Sequence, residues 1–208
     1  MTDMSVNTLK AISTKELLIN AAVRQFHHKG FQKTRISDIV GEAGVAQGTF
    51  YLYFKSKEEI FKNICTEHMN LFQKVFQETE ILFGGKNIDE IRGNIHRFLK
   101  KLLAVYKENL HVSELLFREG VGHNDLFKEI NEKFFMEFIT LIREHMRRDI
   151  PSARFRLTDV ETVSVFLFGV FERSAFYFMM IQKQFDTQRL AEQMAHFMLN
   201  GLQLNITK

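Results

Sequence analysis

A single cysteine, Cys65, and a single proline, Pro151, stand among 208 residues, and tryptophan is missing altogether. One thiol can neither close an internal disulfide nor supply a cysteine-based zinc cluster. One proline and only 11 glycines leave few positions that break a helix. No apolar run approaches 18 residues without a charge, and no signal-type apolar core opens the chain, so the expectation is a cytoplasmic protein without a membrane segment. The sequon Asn205-Ile206-Thr207 is then a chance match. HExxH, GxSxG and GxxxxGK[ST] are absent, and the histidines are scattered apart from His27-His28. No enzymatic activity, cofactor or metal is expected.

What the chain does have is phenylalanine, 22 against 4 Tyr, within 45% hydrophobic residues. That composition describes an aromatic core of real size. Apolar residues recur at spacings of three and four, and nowhere alternate over a β-branched stretch, so the chain reads as all-α with about nine helices. Residues 1–12 show no period and read as a flexible arm. Ser13 opens the first helix in a capping box with Glu16, Leu18, Ala22 and Phe26 form its inward stripe, and Gly30 ends it. The net charge of +3 is small, but between Arg24 and Lys57 six cations face only Asp38 and Glu42. A local basic field of that kind supplies the nonspecific phosphate attraction on which specific contacts are built.

Residues Ile36 to Glu59 carry the most information. Ile36, Ile39, Val40 and Ala43 keep one buried helical face, Gly44 can leave that helix with positive φ, and Val45 fills the angle to the next. A second short helix, roughly Gln47 to Tyr53, turns Phe50 and Phe54 inward and leaves Gln47, Thr49, Tyr51 and Tyr53 outward. Ser56 and Glu59 then form a capping box for a long helix reaching to about Leu82, before Gly84-Gly85. This is a helix-turn-helix, whose second helix can enter a DNA major groove.

Gly30-Phe31, Thr34, Ile36, Ile39, the Ala43-Gly44-Val45 turn and the run from Gly48 to Glu58 resemble the DNA-binding domain of the tetracycline-repressor (TetR) family. The resemblance covers roughly residues 13–65. It implies a three-helix DNA-binding domain over 13–56 and a ligand-binding and dimerisation domain over 57–208. Gln47 is the first candidate for base reading, because an amide can bond two groups on an adenine edge. Thr49 suits a phosphate or thymine methyl, Tyr51 and Tyr53 suit sugar-phosphate or base edges, and Gly48 would let the backbone approach closely. Lys57, at the start of the long helix, is expected on a phosphate. Thr34 and Arg35 resemble the family's other phosphate clamp. Two positions depart from the family pattern. Ala46 stands where a hydroxyl N-cap is frequent, and Arg35 replaces another frequent hydroxyl.

Beyond the long helix, stripes run through Ile88–Tyr106, a short helix at 110–119, and a longer one at 124–148, with Pro151 in the next loop. Residues 158–182 are apolar almost all round, so that helix must be covered on every side, and an amphipathic helix over 186–204 closes the chain. Two charged pairs, Arg118-Glu119 and Glu172-Arg173, interrupt apolar surroundings, either as structural ion pairs or as anchors for a ligand head. Phe98, Leu102, Phe134, Phe138, Phe168 and Glu172 are the expected cavity wall, and Phe176 and Met198 the expected dimer interface. The resemblance implies a homodimeric repressor that reads a palindromic operator in double-stranded DNA and is released by a hydrophobic or amphipathic small molecule. The alternatives are a dimeric DNA-binding protein without small-molecule response and, from another class, a helical enzyme carrying an accessory DNA-binding domain.

Overall fold

A computed structural model describes residues 13–120, 125–149, 159–183 and 186–202, with the side chains of 117–120 and 202 excepted. The expected arm, the Arg118-Glu119 pair, Pro151 and the sequon lie outside what is described. Nine α-helices and no strand are found among the described residues: α1 Thr14–Lys29, α2 Ile36–Ala43, α3 Gln47–Tyr51, α4 Lys57–Gln77, α5 Ile88–Glu108, α6 Leu110–Gly120, α7 Asp125–Asp149, α8 Val160–Phe176 and α9 Thr187–Leu202. The last turn after α8, Tyr177–Ile181, is a π-helix.

The chain divides into two compact units, one ending at Ile64 and one beginning at Cys65. The first therefore runs eight residues past the expected boundary at 56. The reason is packing: Ile60, Phe61 and Ile64, in the first turns of α4, are buried. Phe61 completes a ring cluster with Phe26 and Phe31 at centroid distances of 5.1–5.8 Å. Such edge and tilted contacts are the arrangement that aromatic quadrupoles favour. The capping box at Ser13 and Glu16 is present in both directions. Gly44 leaves α2 at φ 69°, which only glycine adopts without strain. At α4 the box is half as expected. Ser56 Oγ accepts from the Glu59 N–H at 3.2 Å, but the Glu59 carboxylate takes the N–H of Lys55 instead.

In the second unit α5 packs along α9 and α7 along α8. Phe98, Leu102, Phe138, Phe171 and Met198 sit in the core between them. α4 ends at Gln77, five residues short of Leu82. The cause lies at the far end of α7, where one carboxylate oxygen of Asp149 accepts the N–H groups of Leu82 and Phe83 at 2.6 and 2.9 Å. Desolvation opposes that charge, but Arg148 and the two N–H donors outweigh it and hold the carboxyl below its usual range. His145 fastens the same junction, its ring nitrogens lying 3.0 and 3.1 Å from the carbonyls of Leu141 and Phe76.

The expectation that α8 is covered on every side fails within one chain. Val163, Leu167, Phe168, Phe171 and Ala175 are inside, while Val165, Phe166 and Tyr177 are exposed along another face. Val160–Ile181 is long and apolar enough to cross a bilayer, but its inner face belongs to this core and Glu172-Arg173 interrupt it.

Candidate nucleic-acid interface and internal cavity

Phe50 and Phe54 anchor α3 and the turn after it, both buried, with their rings 5.8 Å apart. Because they occupy the inner face, Gln47, Gly48, Tyr51, Leu52 and Tyr53 are exposed, with Thr49 half-buried. Leu52, 81% exposed, is the apolar member of this surface that sequence reasoning left out. Its place beside two tyrosines was the available signal. No side chain caps α3 at Ala46, so its first N–H groups keep their donor capacity for a ligand. Arg35 is exposed, and its backbone N–H bonds the Asp38 carboxylate at 2.8 Å. Lys29 and that Arg35 bond hold Asp38 below the usual carboxylate range, and Arg24 and Gln25 do the same for Glu42. Two of the six cations are thus paired within the unit, at 2.7 Å for Arg24–Glu42 and 2.9 Å for Lys29–Asp38. Lys33, Arg35 and Lys55 remain exposed.

Two expected phosphate contacts are corrected. Thr34 is 1% exposed, and its hydroxyl lies 2.8 Å from the Gly30 carbonyl and 3.2 Å from that of Gln25. It fastens the loop between α1 and α2 and has no surface to offer DNA. The Lys57 ammonium lies 2.9, 3.1 and 3.1 Å from the carbonyls of Phe31, Gln32 and Thr34, and 4.6 Å from the Phe31 ring centroid. An ammonium has three donors, and all three are engaged inside the unit.

The second unit contains a cavity of about 570 Å³ among residues of α4 to α8. Phe134, Phe135, Phe168, Phe176 and Tyr106 give it aromatic walls, with His68 and Ser113 buried at one end. Ser113 Oγ and His68 Nε2 are 3.1 Å apart. Burial lowers the His68 pKa to about 4, so the imidazole is neutral near pH 7. Lys128, Asn131, Glu132 and Arg173 lie at the exposed end. Of the six expected wall residues, Phe134, Phe168 and Glu172 line this cavity. Phe98, Leu102 and Phe138 do not, bordering only a void of about 20 Å³. They are core because the stripes of α5 and α7 both close on Phe76 of α4 there, the Phe98 ring at 4.7 Å and the Phe138 ring at 5.2 Å. The expected interface residues also divide. Met198 is 6% exposed and belongs to the chain's own core on the α9 face toward α5, whereas its neighbour Phe197 is 63% exposed. Phe176 is half-buried at the cavity.

Residues 18–64 match the family of bacterial regulatory proteins, tetR family, the span that builds the first unit's core and outward face. This chain carries a tetR-family DNA-binding domain. It is similar over nearly its whole length to YdgC, an uncharacterized HTH-type transcriptional regulator of Bacillus subtilis. That relative is 25% identical over 93% of this chain and 94% of its own. Among solved structures it resembles FadR of Bacillus subtilis in complex with stearoyl-CoA, at TM-score 0.70 and 21% identity, covering 89% of this chain and 97% of that one. It also resembles the SmeT–triclosan complex, at TM-score 0.71 and 18% identity, covering 90% of both chains.

In this tetR-family domain no neighbour among the described residues requires the glycine at 48. A Cβ there would meet nothing within 4 Å, yet glycine within a helix costs about 1 kcal/mol relative to alanine. Gly48→Ala is therefore expected to raise the melting temperature of the first unit slightly while weakening DNA binding. Calorimetry and a DNA titration on the same sample check the pair of signs. Unchanged DNA affinity would mean that the backbone at 48 does not lie close to DNA.

Proposed function

We propose that the protein is a cytoplasmic, homodimeric repressor whose two α3 helices read a palindromic operator and whose grip is released by a small, largely apolar molecule held in the second unit. The 570 Å³ aromatic cavity supports this best. Its size lies in the range of ordinary ligand sites, and a partner that served only dimerisation would have no use for it. Stearoyl-CoA and triclosan, named with two structural neighbours, both carry a sizeable apolar part, a long acyl chain in the first and a chlorinated pair of rings in the second. A ligand releases DNA only through a difference in affinity between the two states of the dimer. Selection of bound sequences from random DNA, followed by release assays with those two compounds, tests the reading. No enriched sequence would overturn the first half, and no releasing compound in a wider screen the second.

Gln47 is the proposed base reader, with Arg35, Thr49, Tyr51 and Tyr53 as the remaining proposed contacts. Gln47→Ala should cost about 1–3 kcal/mol on the selected operator and little on unrelated DNA. Equal weakening on both would make Gln47 a backbone contact.

The dimer is proposed to form on the exposed apolar face of α8 together with α9. Phe166 and Val170 on α8 share a helical stripe, and Val170 and Phe178 border a groove with Phe197. Phe166 and Phe197 lie open in the single chain. Phe197→Asp should yield monomers in sedimentation and greatly weakened operator binding, because a charge would enter an apolar interface. Intact dimers would place the interface elsewhere.

A further inference from the structure

The charges around the cavity are unequally placed. Glu172 and Arg173 are 3.4 Å apart, yet the Glu172 side chain is 19% exposed and that of Arg173 72%. The carboxylate is thus the more deeply placed partner, beside Phe168 and Phe176 at i±4, while the guanidinium stands in water over the Phe176 ring at 5.3 Å. The other lining cation, Lys128, is also largely exposed and pairs with Glu132 at 3.9 Å. His68 adds no positive charge near neutral pH, since burial holds it neutral. Among the described residues, an anionic head entering this space would find no buried cation. A cation would find a carboxylate and several ring faces, including Phe135 and Phe168, which stand nearly perpendicular with centroids 5.1 Å apart. Ring faces attract a desolvated cation through their quadrupoles, and a half-buried carboxylate in low dielectric attracts it more strongly than one in water.

We infer that the cavity selects a lipophilic monocation, an apolar or aromatic body carrying one positive centre, with Glu172 as its counter-charge and Phe135 and Phe168 as its ring wall. This rests on the proposed ligand response and narrows it: the ligand differs in sign from an acyl-CoA. The incoming cation takes over the Glu172 carboxylate from Arg173, whose side chain needs no new partner because it is already solvated.

Tetraphenylphosphonium and tetraphenylborate, equal in shape and opposite in charge, test this on the full-length protein by calorimetric titration. The cation should bind at least ten-fold more tightly, and it should release operator DNA. Glu172→Gln should weaken the cation at least ten-fold and leave the anion unchanged or stronger. The amide should not harm folding, because burial already raises the Glu172 pKa and so favours the uncharged form. Phe135→Leu, at an exposed edge of the wall, gives a second reading and should weaken the cation several-fold. Equal or tighter binding of the borate, or a cation affinity indifferent to Glu172→Gln, would overturn the inference. If stearoyl-CoA or triclosan releases DNA while the cation does not, the charge assignment fails and the ligand-responsive reading stands. If none of these releases DNA, the charge assignment falls, and the wider screen alone decides the ligand-responsive reading.

Discussion

Replacing Phe138 by alanine should destabilise the second unit by about 3–5 kcal/mol, the range for a large aromatic deleted from a packed core. Phe138 is 1% exposed, and its ring lies 5.1–5.8 Å from those of Phe72, Phe76, Phe134, Phe168 and Phe171. Five neighbours on several helices cannot all move inward to fill the space. Denaturant unfolding should show the loss as a lowered midpoint. The same truncation at Phe135, on the exposed edge of the cavity, should cost less than about 1 kcal/mol. A Phe138→Ala protein with near-parent stability would mean that its site can collapse or is already loose, and the division between core and cavity drawn above would be wrong.

Lys57→Met should lower the stability of the first unit by about 2–3 kcal/mol. The methionine keeps the apolar stem over the Phe31 ring but removes the ammonium from three carbonyls. Bonds made to a charged donor are worth roughly 1.5–3 kcal/mol each when buried, and partial exposure together with non-additivity reduces their sum. At a temperature where the variant is still folded, the salt dependence of DNA binding should match the parent. A slope lowered by about one unit, with stability unchanged, would put the ammonium on a phosphate instead.

The difference between these two positions and the rest of the chain shows what can be read without coordinates. The helix-turn-helix was legible because its determinants are local. Ile39, Val40, Phe50 and Phe54 declare their faces by spacing, Gly44 declares the turn, and all are placed as expected. The role of Lys57 was not legible, because its acceptors are backbone carbonyls 23 to 26 residues away that carry no side-chain signature. The end of α4 was misplaced for the same reason, its stop being set by Asp149, 66 and 67 residues downstream. Periodicity identified the inner faces of α5 and α7, though not that of α8, whose apolar residues run almost all round, and it could not say what stands opposite each residue. Phe134 and Phe138 share one stripe on α7, and only the first borders the cavity.

The fastening at the end of α4 also gives the cavity wall one firm end. Phe76 is held by His145 and by the Phe138 ring, and the segment just beyond it is held by Asp149. His68, on the cavity wall, lies two turns back along the same helix, about 12 Å away at about 1.5 Å per residue. The imidazole is therefore carried on a short arm from an anchored point, and an occupant of the cavity meets a wall whose position is set by bonds made outside it.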